Sequence, residues 1–278
     1  MDLGSLIPGD SRRGEVGPLL AAVPSMRITL VLGLMLVSGC IAYVHSPPGR
    51  SFPLETSKAL YKRETGIQLE AGGGVGADVG LPGFNLRVRH GIVDKLDGSF
   101  ELGYLRIKTD GPNLANSDRN LVTGRLGVKY EIIKHIAVTA GVAGGAWAGG
   151  TFVSPDVSLI LAWENPYVVP FVDGGGYTSH PLGEKPVRIV EDFFRGNSEV
   201  FRVAPVFTYG WTAGFGLRIP LVRNTENATA PAIVLGTRFR GAIYEIQEEF
   251  GRLLRLDRQL YWYGSFGFEY VFAPRRSR

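Results

Sequence analysis

Between residues 206 and 219 the chain reads VFTYGWTAGFGLRI. Phe207, Tyr209, Trp211, Ala213, Phe215, Leu217 and Ile219 fall on one parity. Val206, Thr208, Gly210, Thr212, Gly214, Gly216 and Arg218 fall on the other. A period of two held this long predicts a β-strand with one broad apolar face and one small, polar face. Repeated glycine on the polar face suits the inside of a narrow barrel, where large side chains do not fit. Ten or eleven residues at about 3.3 Å each, tilted by about 40°, span ~25–30 Å, the thickness of a bilayer core.

The same design recurs from residue 66 onward. Strands are predicted over 66–76, 83–92, 98–108, 120–132, 135–147, 151–163, 166–178, 206–219, 232–244 and 259–272. In 120–132, Thr123, Arg125, Gly127, Lys129 and Glu131 oppose Val122, Leu126, Val128, Tyr130 and Ile132. The 98–108 segment alternates less cleanly, as a strand carrying a bulge does. Helical periodicity is confined to a stretch at 244–256 inside a connection and a short turn at 55–62. The fold class is therefore all-β, a closed antiparallel up-and-down barrel of about ten strands, with eight as the alternative.

The connections carry a second pattern. Those after the odd strands include the long 109–119, 179–202 and 246–258. Those after the second, fourth and sixth are tight (VDKLDG, IIKH, WENP), and 220–231 is intermediate. Outer-membrane barrels have short periplasmic turns, longer outer loops and both termini inside. Parity thus sends the aromatic faces to lipid and sets the N-terminus at the inner leaflet.

Composition sharpens this picture. In 278 residues there are 38 glycines, most of them inside the alternating segments, and charged residues make up 20%. The net charge of +4 is partly the terminal Arg275-Arg276-Ser277-Arg278, and basic residues elsewhere are mixed with acids, so no nucleic-acid face is expected. The polar parity collects Glu70, Arg87, Arg89, Glu101, Arg125, Lys129, Glu131, Asp173, Arg218, Arg238, Arg240 and Glu269. Buried charges are costly alone, so this set is expected to interlock as a lumenal salt-bridge network that plugs a narrow barrel. Its slight basic excess leaves a narrow anion-preferring pore as the alternative. Aromatics at strand ends (Tyr104, Tyr130, Trp147, Trp163, Tyr167, Tyr177, Tyr209, Trp211, Tyr244, Tyr261, Trp262, Tyr270) fit interfacial girdles.

Ahead of the barrel, residues 26–44 place Arg27 before an apolar run and then small residues, the layout of a signal peptide. Val37-Ser38-Gly39-Cys40 resembles the lipobox of bacterial lipoproteins. That resemblance implies cleavage before Cys40, diacylglycerol on its thiol and, with Ile41 following, delivery to the outer membrane. Residues 1–25 fit no part of this arrangement, so Met26 is the expected true start. The domain plan is 1–39 removed, 40–65 a lipid-anchored tether, 66–272 the barrel and 273–278 a basic tail.

Catalytic signals are weak. Ser179 and His180, with Glu184 nearby, have the composition of a lipid-modifying barrel enzyme, but adjacent strand residues point to opposite faces. No HExxH, GxSxG or phosphate-binding loop occurs, and no cofactor, metal site or catalytic residue is assigned. The long connection 179–202 is the candidate partner-binding element.

The closing stretch 266–272 alternates Phe266, Phe268, Tyr270 and Phe272 with small or polar residues. It is similar to the C-terminal assembly signal of small bacterial outer-membrane β-barrel proteins, which the chain resembles over 66–272, except that APRRSR follows Phe272. The resemblance implies a bacterial outer-membrane location, contact with outer-membrane lipid and insertion by the barrel assembly machinery. The rival is a lipid-anchored periplasmic barrel or sandwich that turns the same faces inside out to bind an apolar ligand.

Overall fold

The computed structural model describes residues 47–50, 52, 54–76, 79–109, 119–184, 187–193, 197–203, 206–222, 231–246 and 255–272. The chain divides into two units, Met1–Ser38 and Gly39–Arg278, and every described residue belongs to the second. Thirteen strands occur in the described residues: β1 (Thr65–Gly76), β2 (Val79–Gly80), β3 (Gly83–Val93), β4 (Leu96–Thr109), β5 (Arg119–Ile133), β6 (Ile136–Trp147), β7 (Gly150–Ala162), β8 (Val169–Glu184), β9 (Val187–Phe193), β10 (Asn197–Val203), β11 (Thr208–Pro220), β12 (Ala232–Ile246) and β13 (Arg255–Phe272).

Ten of them, β1, β3 to β8 and β11 to β13, pair antiparallel, each with the next in the chain. β13 then pairs back onto β1 from Thr65↔Phe272 to Val75↔Trp262, which closes the barrel. Ten strands with sequential pairing are what alternation predicts, and the observed bounds differ by only a few residues at most ends. The irregularity expected in 98–108 falls elsewhere. β4 pairs with β5 in unbroken register, and the shift lies on β3 between Gly91 and Val93, beside the hairpin turn.

At one end β3–β4, β5–β6, β7–β8 and β11–β12 connect through 94–95, 134–135, 163–168 and 221–231. Lys95 takes a left-handed conformation (φ 71°) to make the first of these tight. The other end carries the connections 77–82, 110–118, 148–149, 185–207 and 247–254. The longest is not plain loop: β9 and β10 pair within it as a separate hairpin, from Val187↔Val203 to Phe193↔Asn197. The helical stretch expected at 244–256 is strand at both edges, in β12 and β13, and its middle lies outside the described residues.

The pleat separates two chemistries. Ile67, Leu69, Phe84, Phe100, Leu126, Phe215, Leu217, Phe266 and Phe268 are exposed on the outer surface. Gln68, Glu70, Asn85, Arg87, Arg125, Lys129 and Arg240 are buried inside. Small inward residues make room for large ones: the rings of Tyr177 and Phe171 lie where side chains on Gly210 and Gly216 would stand.

Candidate functional site in the barrel lumen

The lumen is occupied by the chain's own N-terminal segment. Residues 47–62, expected as a tether with a helical turn at 55–62, form an extended strap, without helix among its described residues (47–50, 52 and 54–62), bent at Gly49 and Ser57 and turning at 62–63 into β1. Phe52, Leu54, Glu55, Thr56, Ser57, Ala59 and Leu60 are all buried. A strap inside a barrel has no neighbouring strand, so its backbone groups need side-chain partners. Pro47 and Pro48 lack the donor altogether.

The wall supplies those partners in sequence along the barrel axis. Ser179 of β8 donates to the Pro47 carbonyl (2.6 Å) and Arg240 of β12 to that of Arg50. The Leu54 carbonyl accepts from Gln68 (2.9 Å) and Arg87 (3.1 Å), while the Leu54 N–H points to Glu70 (3.4 Å). Lys129 donates to the carbonyls of Thr56 (3.3 Å) and Lys58 (2.7 Å), and Arg89 also reaches Lys58 (3.1 Å). Glu131 and Asp97 accept from the N–H groups of Ala59 (2.9 Å) and Leu60 (3.0 Å). Glycine clears the way at several places, Gly236 for the Leu54 side chain among them. A side chain on Gly49 would collide with Ala143, and one on Gly91 with the Tyr61 carbonyl.

Charged side chains fill the middle. Glu101 accepts from Arg125 (2.9 Å) and from the strap's own Arg50 (3.0 Å), and pairs with Arg87 at 3.2 Å, so three guanidinium groups converge on one carboxylate. Arg125 also grips Asp156 through both oxygens (2.7 Å each). Glu55 of the strap meets Arg50 (2.7 Å) and Lys129 (3.3 Å). Nearer the short turns Arg89 bridges Asp97 (2.6 Å) and Glu269 (3.4 Å), and Arg218 binds Glu269 (2.6 Å). Arg238 pairs with Asp173. Eleven of the twelve residues assigned to the lumen by parity are thus buried within the barrel; Glu131 is half-buried and touches the strap.

Four participants lie outside that set. Arg50 and Glu55 belong to the strap, which has no period to mark a face. Asp97 and Asp156 share parity with Glu101 and with the buried Ser154, so the alternation itself locates them.

Apolar layers cap the charges. Phe52 of the strap joins Leu81, Leu105, Ile107, Leu121, Trp147, Phe152, Tyr261 and Tyr263 in a buried cluster toward the long-loop end. Leu54 packs with Ala162, Val169, Phe171 and Val234 toward the short turns. This corrects the girdle reading for four aromatics. Trp147, Tyr177, Tyr244 and Tyr261 point inward and are buried, because they share the parity of the lumenal residues on their strands. Arg240 lies over the rings of Tyr263 (5.0 Å) and Tyr177 (5.8 Å), a cation–π arrangement in a desolvated place. Tyr130, Trp163, Tyr167, Tyr209, Trp211, Trp262 and Tyr270 are exposed outside, and Tyr104 stacks on Phe84.

A cavity of about 20 Å³ lies beside Pro48, Gly49 and Arg50, and another of about 20 Å³ beside Thr56, Lys58 and Leu60, each room for roughly one water. Ser179 and His180 do not form a dyad. Ser179 is buried against Pro47, whereas His180 faces outward, within 3.2 Å of Thr178 and against the ring of Phe207.

β1 starts at the short-turn end, as parity requires, but Pro47 lies level with Ser179, high on β8, at the long-loop end. Cys40 itself lies outside the described residues.

No family model matches the sequence, and no curated protein is similar to it. Among solved structures, the chain is similar to the N-terminal β-barrel domain of Pseudomonas aeruginosa OprF, at 13% identity over 74% of this chain and 97% of that one, with a TM-score of 0.30. Neisserial surface protein A matches at 14% identity over 75% and 96%, TM-score 0.33. Ail, the attachment invasion locus protein of Yersinia pestis, matches at 13% identity over 76% and 99%, TM-score 0.31. The resemblance to these small outer-membrane β-barrels is one of architecture.

Proposed function

We propose that this chain is an outer-membrane lipoprotein, acylated at Cys40, whose membrane-embedded barrel is plugged by its own strap and charge network and serves a structural or surface-interaction role. The observation that carries this reading is the outer surface. Ringed by exposed Phe, Leu, Ile, Val and Trp on every barrel strand described, it is far larger than the few hundred Å² of contiguous apolar surface a soluble monomer tolerates. The inside-out alternative, a soluble barrel holding an apolar ligand, needs these side chains within and the arginines without. A pore is disfavoured by cavities of about 20 Å³ beside the strap. Outer-membrane lipid is the partner of the apolar belt, and the barrel assembly machinery reads the aromatic β13. The hairpin β9–β10 extends from the long-loop end, where a surface partner would dock.

The test combines heat-modifiable gel mobility with carbonate extraction of the Cys40→Ser variant. The expected result is a heat-shifted band that stays with the membrane pellet after the acyl chain is lost. Release of Cys40→Ser as a soluble monomer sinks the transmembrane reading.

A further inference from the structure

The strap runs through the lumen in one direction, and that direction decides where everything before it must go. At its lower end the Tyr61 carbonyl crosses Gly91, and the Ser57 hydroxyl reaches the Lys134 carbonyl (3.2 Å) in the β5–β6 turn. Both sites belong to the short-turn face. Midway, Leu54 meets Gln68 and Arg87. Higher, Gly49 lies against Ala143 and Ser154 in the upper halves of β6 and β7. Highest, Pro47 is held by Ser179, whose strand partner is Thr208, the first residue of β11 at the long-loop end. Ser179 stands ten residues above Val169 at the foot of β8. At about 3.3 Å per residue and a tilt near 40° that is a rise of ~25 Å, one bilayer core.

We infer that the barrel is threaded by its own N-terminus, so that the chain preceding Pro47, with the acyl anchor at Cys40, is displayed on the long-loop, outward face of the membrane. This rests on the membrane-embedded reading proposed above and reverses the expectation that the acyl chains sit in the inner leaflet. Cys40 is seven residues from Pro47, a reach of at most ~25 Å when fully extended. To return to the short-turn face it would have to run back down the lumen, and the spaces flanking the strap hold about one water each. A second backbone does not fit. Acyl chains on Cys40 therefore enter the outer leaflet near the barrel rim. No lipid need pass through the lumen to get there, because the β1–β13 seam can close around a strap already in place.

Three single-cysteine additions decide the matter, each made in the full chain with Cys40 retained and probed with a membrane-impermeant maleimide. His45→Cys reports on the chain just before the strap, Asn113→Cys on a long connection and Asp94→Cys on the exposed β3–β4 turn. Threading predicts that His45→Cys and Asn113→Cys are labelled to the same extent on intact cells, and Asp94→Cys only after the outer membrane is permeabilised. If His45→Cys instead follows Asp94→Cys, or is labelled only after denaturation, the inference is overturned while the embedded barrel stands. If Asn113→Cys and Asp94→Cys are labelled alike on intact cells, the embedded reading fails, and the inference falls with it. An acyl group on Cys40 leaves its thiol unreactive, so the parent chain is the blank.

Discussion

The Ser179 hydroxyl of β8 donates a 2.6 Å hydrogen bond to the Pro47 carbonyl, fastening the upper end of the strap to a wall residue 132 positions later in the chain. Removing the hydroxyl leaves a buried carbonyl short of a partner, at a cost of about 1 kcal/mol. Ser179→Ala is therefore expected to lower the urea midpoint of the reconstituted barrel slightly and to make the strap more sensitive to protease. His180→Ala, on the opposite face, is expected to change neither quantity. Equal effects of the two substitutions on lipid A composition would instead favour an enzymatic pair.

Gly49 leaves no room for a side chain against Ala143. Gly49→Val should misseat the strap, with an overpacking cost of about 1–3 kcal/mol seen as a lower heat-shift temperature. Adding Ala143→Gly should restore part of the loss by making room from the wall side. A double variant no better than Gly49→Val would show that the two residues do not meet in the membrane.

Glu101 is the common acceptor of Arg50, Arg87 and Arg125. Glu101→Gln keeps the shape but leaves three buried cations short of a charge, and breaking such an arrangement typically costs ~3–5 kcal/mol. Equilibrium unfolding in vesicles reads this directly. Pairing the change with Arg125→Met and Asp156→Asn should recover stability relative to Glu101→Gln alone, since the cation then leaves together with the second carboxylate it grips. Simple additivity of the losses would speak against the network.

Deleting 47–60 removes the plug but not the wall. The intact protein is expected to be silent in a planar bilayer, and the deleted form to give discrete conductance steps. Persistent steps from the intact chain would overturn the plugged reading.

Leu126, 67% exposed at the middle of β5, and Ile132, near its short-turn end, both face outward. If that face meets lipid, Leu126→Arg should cost about 2–4 kcal/mol, and Ile132→Arg only ~0–1. On a water-facing surface the two would be indistinguishable.

Why the wall was readable and the strap was not follows from how each is specified. A strand facing two environments writes its pleat into every second residue, so Arg87, Arg125 and Arg240 declare their side locally. The strap has no such repeat. It is polar and proline-bearing, and its burial depends on partners such as Arg240, 190 residues away. Proline and charge read as a solvated tether unless those partners are known. The misplaced aromatics have a different cause. Trp147, Tyr177, Tyr244 and Tyr261 fall near the ends of the strands predicted from the sequence, where girdles form, and strand-end position outweighed parity in the expectation, although β8 and β13 run well past Tyr177 and Tyr261. Tyr177 is an even number of residues from Asp173, and Tyr244 from Arg240, so the alternation already pointed both of them inward.

The strap's carbonyls are served by residues of β3, β5, β8 and β12, so its docking site is complete only when the penultimate wall strand is present. A segment made before every wall strand thus waits for nearly the last of them. Contacts of such long sequence separation make folding slow, because large loops must close before they are rewarded. The strap consequently acts as a mandrel. Walls wound around it reach their full set of bonds together at the final seam, and an unfinished barrel is left open along β1 and β13, with its arginines still in water.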